Sequence, residues 1–500
     1  MFVLLASLAA SYLATLTLYR LLFHPLHRYP GPALAALTNW YGKYYSLVEG
    51  GQLVYKIEKL HELYGPVIRI GPNTLHFNDR RAYHDIYTHG SSLTKEPRFY
   101  HGFGAHARQS SLAFCEPQDS KNRRSLLAPL FSRQAIIKLE YAVQTKVDQL
   151  IDILEEHYGS PESSVKMSVA YRSLTTDIIT DYCFSDSANV LADWKFSHPI
   201  VQSTRDRIRR MWIQIYFPFL IDLVMSAPQK ILLCLFPDFR SFVEMHERYE
   251  RQIDRYISNP EEMSTADHET IYHHLLSPKD PKMRPSKTSL IHEAFMLVAA
   301  GSETVASTCT VGTYYALQEP SIRLRLTEEL REAWPDKGRP LSFTALEKLP
   351  YLTAVIKESL RMAIGPIHPL PRVVGRETPE IGGLRLPPGT IVETSTFFMH
   401  TNPEVFNDPL IFNPERWLVK DTSEMMLDFV PFSKGPRQCI ALNLAWSELY
   451  LILGNIFRKL EIKPVKENAQ ADMTLGKILD YVAPLWEKSH YEVFVNQVKD

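Results

Sequence analysis

The stretch Phe432-Ser433-Lys434-Gly435-Pro436-Arg437-Gln438-Cys439-Ile440-Ala441 decides how the rest of the chain is read. An aromatic residue, a Gly turn and an Arg lead to a Cys, and an apolar helical pattern runs from about Cys439 to Leu460. A thiolate at a helix N-terminus is favoured by the macrodipole and by the free N–H groups of the first turn. Gly435 permits a tight turn below it. Arg437 suits pairing with an acidic cofactor group. A free Cys is also among the most buried residue types, so on this stretch alone a packed, inert Cys439 stays open.

Working outward, a helix is expected from about Tyr351 to Met362, just after Pro350. Between it and the Cys loop, Val373-Val374, Leu384-Arg385-Leu386 and Ile391-Val392-Glu393 read as short strands separated by Gly and Pro. A long helix is expected from about Lys287 to Glu319, between Pro285 and Pro320. From Asp119 to Pro278 the pattern is chiefly helical, with Val143, Val147, Leu150, Ile151 and Leu154 on one face. Met211 to Phe236 is unusually apolar and aromatic but is broken at Pro218 and Pro228. It reads as core or as a surface dipping into lipid. Val67–Ile70 and Thr74–Phe77 flank Gly71-Pro72-Asn73 as a β-hairpin. Many helices with a small segregated sheet give an α+β, mostly helical fold.

Residues Met1 to Tyr19 carry no charge, and Leu21 to Phe23 prolong the apolar run past Arg20. That is enough to span about 30 Å of hydrocarbon. A cleaved signal peptide would want a basic leading segment, which is missing. The cations Arg20 and Arg28 follow the run, so the positive-inside rule puts the body in the cytosol. Residues 1–23 are therefore expected to be a transmembrane signal anchor. Residues 24–45, with Pro25 and Pro30-Gly31-Pro32, read as a proline-rich hinge, and residues 46–500 as one catalytic domain. Lys and Arg total 55 against 56 Asp and Glu, so no charge excess points to nucleic acid. The five cysteines, Cys115, Cys183, Cys234, Cys309 and Cys439, are far apart, which argues against a disulfide framework or a structural zinc site.

The Phe432–Ala441 segment resembles the haem-binding loop of the cytochrome P450 superfamily, Phe-x-x-Gly-x-Arg-x-Cys-x-Gly, with Ala441 at the last Gly. Ala is small enough to keep the helix near a haem. Further segments match in the family's order. Glu358-Ser359-Leu360-Arg361 resembles Glu-x-x-Arg, and Pro414-Glu415-Arg416-Trp417 resembles Pro-Glu-Arg-Phe. The resemblance implies a structural triad of Glu358, Arg361 and Arg416. Ala300-Gly301-Ser302-Glu303-Thr304 is similar to the oxygen-activation segment. Gly301 in mid-helix costs about 1 kcal/mol relative to Ala, a sign of a close ligand approach or a local distortion. Arg124 sits where the family has the Arg of Trp-x-x-x-Arg, with Ser120 in the Trp position. Arg372 matches another propionate arginine. Phe23–Pro32, Lys95–Tyr100 and Leu174–Thr180 look like the fungal microsomal, terpenoid-oxidising group typified by trichodiene oxygenase.

The resemblance implies haem b held by Cys439 as iron ligand, with Phe432, Gly435 and Arg437 shaping the loop and Arg124 and Arg372 on the propionates. It implies Glu303 and Thr304 as the catalytic pair delivering protons. The chain lacks a Gly-x-Gly-x-x-Gly nucleotide site, so electrons are expected from NADPH through cytochrome P450 reductase. Lys121, Arg123 and Lys434 are candidates for its docking patch, or an ordinary solvated face. The expected activity is insertion of one atom of dioxygen into a hydrophobic secondary metabolite, such as a terpenoid, at the endoplasmic reticulum membrane. Phe99–Phe103, Trp212–Phe219, Pro366–His368 and Tyr481–Leu485 are the expected pocket segments. A haem–thiolate rearrangement catalyst and a non-catalytic haem sensor are the rivals, and the Glu303-Thr304 pair speaks against both.

Overall fold

A helix of 32 residues, Lys287–Gln318, is the spine of the molecule. Ser286 starts it by accepting from the Ser289 N–H, and Pro320 follows its extended end at Glu319. Its main partner is the helix Met167–Phe184, in which every residue but Asp181 is buried. Such a helix must satisfy its polar groups internally. Ser173, Thr175, Thr176 and Thr180 return their hydroxyls to carbonyls one turn back. Asp177 takes the Val190 and Leu191 N–H groups at 2.8 and 2.9 Å. Gly301 is explained here: a Cβ on it would lie 2.6 Å from Ile179 Cγ1. Of the two readings the sequence left open, a close ligand approach or a local distortion, neither names the neighbour that makes the contact: it is the packed helix Met167–Phe184.

The computed structural model describes residues 1–88, 92–160, 163–377, 380–465, 475–488 and 491–498. Their strands are β1 Val67–Gly71, β2 Thr74–Phe77, β3 Thr94–Lys95, β4 Ser164–Lys166, β5 Arg372–Val373, β6 Ile391–Glu393, β7 Leu460–Pro464, β8 Ile478–Tyr481, β9 Ala483–Trp486 and β10 Glu492–Gln497. They pair as β1-β2-β6-β5-β3, β4-β10-β7 and β8-β9. The β1–β2 hairpin has the expected antiparallel register, Val67 opposite Phe77. Leu384–Leu386 is no strand; it keeps only an isolated bridge from Leu384 to Ile381. The fold is thus mostly helical with small sheets at its margin.

The N-terminal helix Phe2–Leu18 continues through a π turn, Tyr19–Phe23. Over its 22 residues it reaches a mean hydropathy of 1.7 and none of its residues is buried, so it is long and apolar enough to cross a membrane. The spine helix is also long and apolar, but its apolar faces are taken up by neighbouring helices. Residues 24–45 pack on the body: Leu26, Ala35 and Ala36 are buried, and the Arg69 N–H donates to Pro30 O.

Glu358 lies on the helix Pro350–Ala363 and is fully buried. Its carboxylate accepts five hydrogen bonds, from Arg361 Nε and Nη2, Arg416 Nε, Trp417 Nε1 and the Asn413 N–H. Arg361 then donates to the carbonyls of His400 and Pro409 at 2.8 and 2.6 Å. His400 Nδ1 bonds Arg361 O at 3.1 Å, and His400 Nε2 accepts from the Val430 N–H at 2.9 Å. Accepting at Nε2 requires the neutral ring. Burial and the nearby Arg361 charge supply that condition, pushing His400 down to about 3. This relay connects the Glu358 node to the start of the Cys loop.

Removing one partner of a buried charge network leaves the others unpaired, at a cost of about 3–5 kcal/mol. Glu358→Gln is expected to lower the urea midpoint accordingly. Glu415→Gln, which breaks the half-exposed Arg325–Glu415 pair, should shift stability by less than about 1 kcal/mol. Equal midpoints for the two variants would refute the role given to Glu358.

Candidate active site

The Cys loop is closed by the Cys439 N–H, which donates to Phe432 O at 2.9 Å. Ser433 and Gly435 both have left-handed φ values, +59° and +72°. A Cβ on Gly435 would lie 2.0 Å from Tyr87 O, so only glycine fits where the loop crosses residues 87–88. Phe432 packs on Trp446, ring centroids 6.0 Å apart. The helix Leu442–Lys459 begins after Ala441, not at Cys439 as the sequence suggested. The Cys439 N–H is already used within the loop, so the chain turns into the helix only at Ala441. Burial pushes the Cys439 thiol up, while the Ala441 N–H and the Arg124 guanidinium oppose that shift. The side chain keeps open surface although protein surrounds it, so it lines an interior space.

Four cations gather near this loop. Arg124 Nη2 donates to Gln438 O at 2.9 Å. Arg437 Nη2 reaches Cys115 O and Glu116 O at 3.2 Å, and its buried Nη1 has no partner. Arg372 Nη1 bonds the Tyr100 hydroxyl at 2.7 Å. Lys95, which the sequence reading did not single out, donates to Leu112 O and lies 4.2 Å above the Tyr100 ring. Lys95 and Arg372 are direct partners across β3 and β5. Like charges opposite each other on a sheet repel. Among the described residues none of the four forms an ion pair with a carboxylate. Burial first, then mutual repulsion, drives Lys95 well below the usual lysine range and Arg437 down to about 10.

On the spine helix, Ala299, Ala300 and Thr304 keep open surface, while Val298, Ser302, Glu303 and Val305 are buried. A one-sided open stripe in the middle of a buried helix lines an interior space. Thr304 Oγ1 donates back to Ala300 O at 3.1 Å. Glu303 points the other way and is held by Arg172 through two bonds of 2.5 and 2.8 Å, both side chains buried. The expected pocket segments come together: Phe99, Tyr100, Trp212, Ile215 and Val482 form one buried cluster. Ser120 is buried and its hydroxyl lies 3.5 Å from Ser111 O, so this site offers no equivalent of the family's Trp side chain. Arg123 is not a surface cation. It pairs with buried Glu293 at 2.7 Å and donates to Ser289, which removes it from the docking patch. Lys121 is exposed and Lys434 half-buried.

A family model described as Cytochrome P450 matches residues 30–483. The chain belongs to the cytochrome P450 family. A cytochrome P450 monooxygenase of Eupenicillium brefeldianum is 34% identical over 97% of both chains. The conidiogenone synthase of Penicillium rubens is 34% identical over 90% of both. The tryptophan 6-hydroxylase of Fusarium equiseti is 33% identical over 89% of this chain and 87% of its own. This P450 is accordingly an oxidoreductase, a haem-dependent monooxygenase whose relatives are fungal.

The residues fit the cofactor. Haem b carries two propionates, and a cationic group with Lys95 and Arg372 buried and Arg124 and Arg437 half-buried, with no carboxylate partner among the described residues and one orphaned guanidinium nitrogen, matches that dianion. Lys95 would join Arg124, Arg372 and Arg437 in holding the propionates. Its pairing with Arg372 across β3–β5 was hidden from sequence reasoning. A hydrogen bond to a charged group contributes about 1.5–3 kcal/mol. Lys95→Met should therefore release haem to apomyoglobin roughly ten-fold faster or more, while the haem-free protein gains stability from the lost repulsion. An unchanged haem-loss rate would remove Lys95 from the propionates.

Proposed function

We propose that this P450 oxidises a hydrophobic secondary metabolite, terpenoid in class, with electrons from NADPH delivered by cytochrome P450 reductase. The observation that carries the reading is the enclosed Cys439 beside a cluster of buried and half-buried cations that no carboxylate neutralises among the described residues. Cys439 would hold the haem iron through its sulfur, since coordination to a metal deprotonates a thiol outright. Arg124, Arg372, Arg437 and Lys95 hold the propionates, while Phe432 and Gly435 fix the loop. Bound haem supplies dioxygen activation, with the thiolate favouring O–O cleavage. The N-terminal helix anchors the chain in the endoplasmic reticulum membrane with the body cytosolic, as Arg20 and Arg28 favour. The exposed apolar residues Phe219, Leu223 and Leu235 add a second lipid contact. Lys121 and Lys434 flank the Cys face toward the reductase.

Thr304 lies on the open stripe of the spine helix, where its hydroxyl orders the proton donor. Its bond to Ala300 O uses only the hydroxyl proton, so both oxygen lone pairs remain able to accept from a water. Proton passage through Glu303 requires its carboxylate to leave Arg172, so the relay depends on opening that pair. The aromatic cluster favours an apolar substrate. The relatives' names, one a conidiogenone synthase and one a tryptophan 6-hydroxylase, support secondary metabolism without a common substrate.

Thr304→Ala should leave substrate binding nearly intact while product formed per NADPH falls and peroxide rises. A general acid–base contribution of about 10²–10⁴ bounds the loss from above. A rearrangement catalyst would consume no NADPH in either form. A product-to-NADPH ratio equal to wild type would show that Thr304 only packs the helix.

A further inference from the structure

The aromatic roof made by the four pocket segments contains a histidine. His368 is stacked on Phe99, centroids 5.2 Å apart at 13°, and meets the edge of Trp212 at 4.6 Å. Its Nδ1 lies 2.8 Å from Asp480 Oδ2. Asp480 is itself immobilised. Its Oδ1 accepts from the Val482 N–H at 3.0 Å, its carbonyl accepts from Trp212 Nε1 at 2.6 Å, and its own N–H donates to Gly51 O. A carboxylate at Nδ1 places the ring proton there, so in the neutral ring Nε2 is the acceptor. Among the described residues no group bonds Nε2. Phe99 is adjacent to Tyr100, which bonds Arg372, and His368 lies four residues before Arg372, so the segments that carry the roof also carry part of the cation group.

An apolar pocket is oriented by a few fixed polar atoms. Here one imidazole nitrogen, aimed by a rigid carboxylate and flanked by two aromatic rings, is such an atom. We propose that His368 Nε2 accepts a hydrogen bond from a hydroxyl or N–H of the substrate, making it a specificity-determining residue. This rests on the monooxygenase reading above. The preferred substrate is then a hydrophobic molecule that already carries a donor, not a bare hydrocarbon. An earlier hydroxylation, or a step that leaves an N–H, must supply it. The present enzyme acts at a carbon distant from that group, because His368 holds the donor at the roof.

The test uses the ferric holoenzyme and N-alkylimidazoles, which bind haem iron directly and shift its Soret band. Chains of increasing length end in a methyl, a hydroxyl or a primary amide. At the length that spans iron to His368, a hydroxyl or amide end should bind roughly five-fold tighter than methyl; the better of the two ends identifies the donor. In His368→Phe, which keeps the ring stack, that preference should invert, since a buried unpaired hydroxyl weakens binding about ten-fold. Methyl ends binding tighter at every length in wild type would overturn the proposal, even if the variant does not fold. So would a hydroxyl preference that persists in His368→Phe. If no imidazole shifts the Soret band, the haem reading itself fails and takes this proposal with it.

Discussion

One buried carboxylate organises the scaffold on which the Cys loop rests. Glu358 has no exposed surface, so its charge must be matched inside the protein. Arg361 and Arg416 match it, and the remaining donors, Trp417 and the Asn413 N–H, use up its lone pairs. Every group in the network then has only one good geometry. Arg361 passes the constraint to His400, and His400, kept neutral by burial, passes it to Val430. The Cys loop starts there. The position of Cys439 is thus set by a chain of hydrogen bonds and not by the loop alone.

The same logic fails for the cations around Arg437, and the failure is informative. At the Glu358 node charge and counter-charge are both protein groups. Around Arg437 the counter-charge is missing among the described residues, and Lys95 faces Arg372 across two strands. A fold that leaves these charges unmatched is suited to hold an anion there. The Glu358 node fixes where the Cys loop starts; the cation group would set how the cofactor lies relative to the sulfur.

Much of this was legible because the motifs are local. The Cys loop needs Gly435 against the backbone of residues 87–88, and Glu-x-x-Arg needs one turn of helix. What stayed hidden were partners far apart in sequence. Arg172 holds Glu303 across 131 positions and Arg123 holds Glu293 across 170. A carboxylate on a helix and an arginine on another carry no mark of each other until the helices pack. Arg123 therefore read as a surface cation, and Gly301 read as a close ligand approach or a local distortion, whereas Ile179 packs against it. The Leu384–Leu386 stretch alternates like a strand, but only Leu384 finds a bridging partner, so no ladder forms.

The central claim is that the Cys439 sulfur holds the haem iron. The reduced carbon monoxide spectrum tests it most directly, because thiolate ligation places the Soret band far to the red of that of a histidine-ligated haem. Wild type should give the red-shifted band. Cys439→Ser, with the Glu358 network intact, should lose it while the protein stays folded. A folded Cys439→Ser variant that keeps the red-shifted band would mean that another residue ligates the iron, and the account would be wrong at its root.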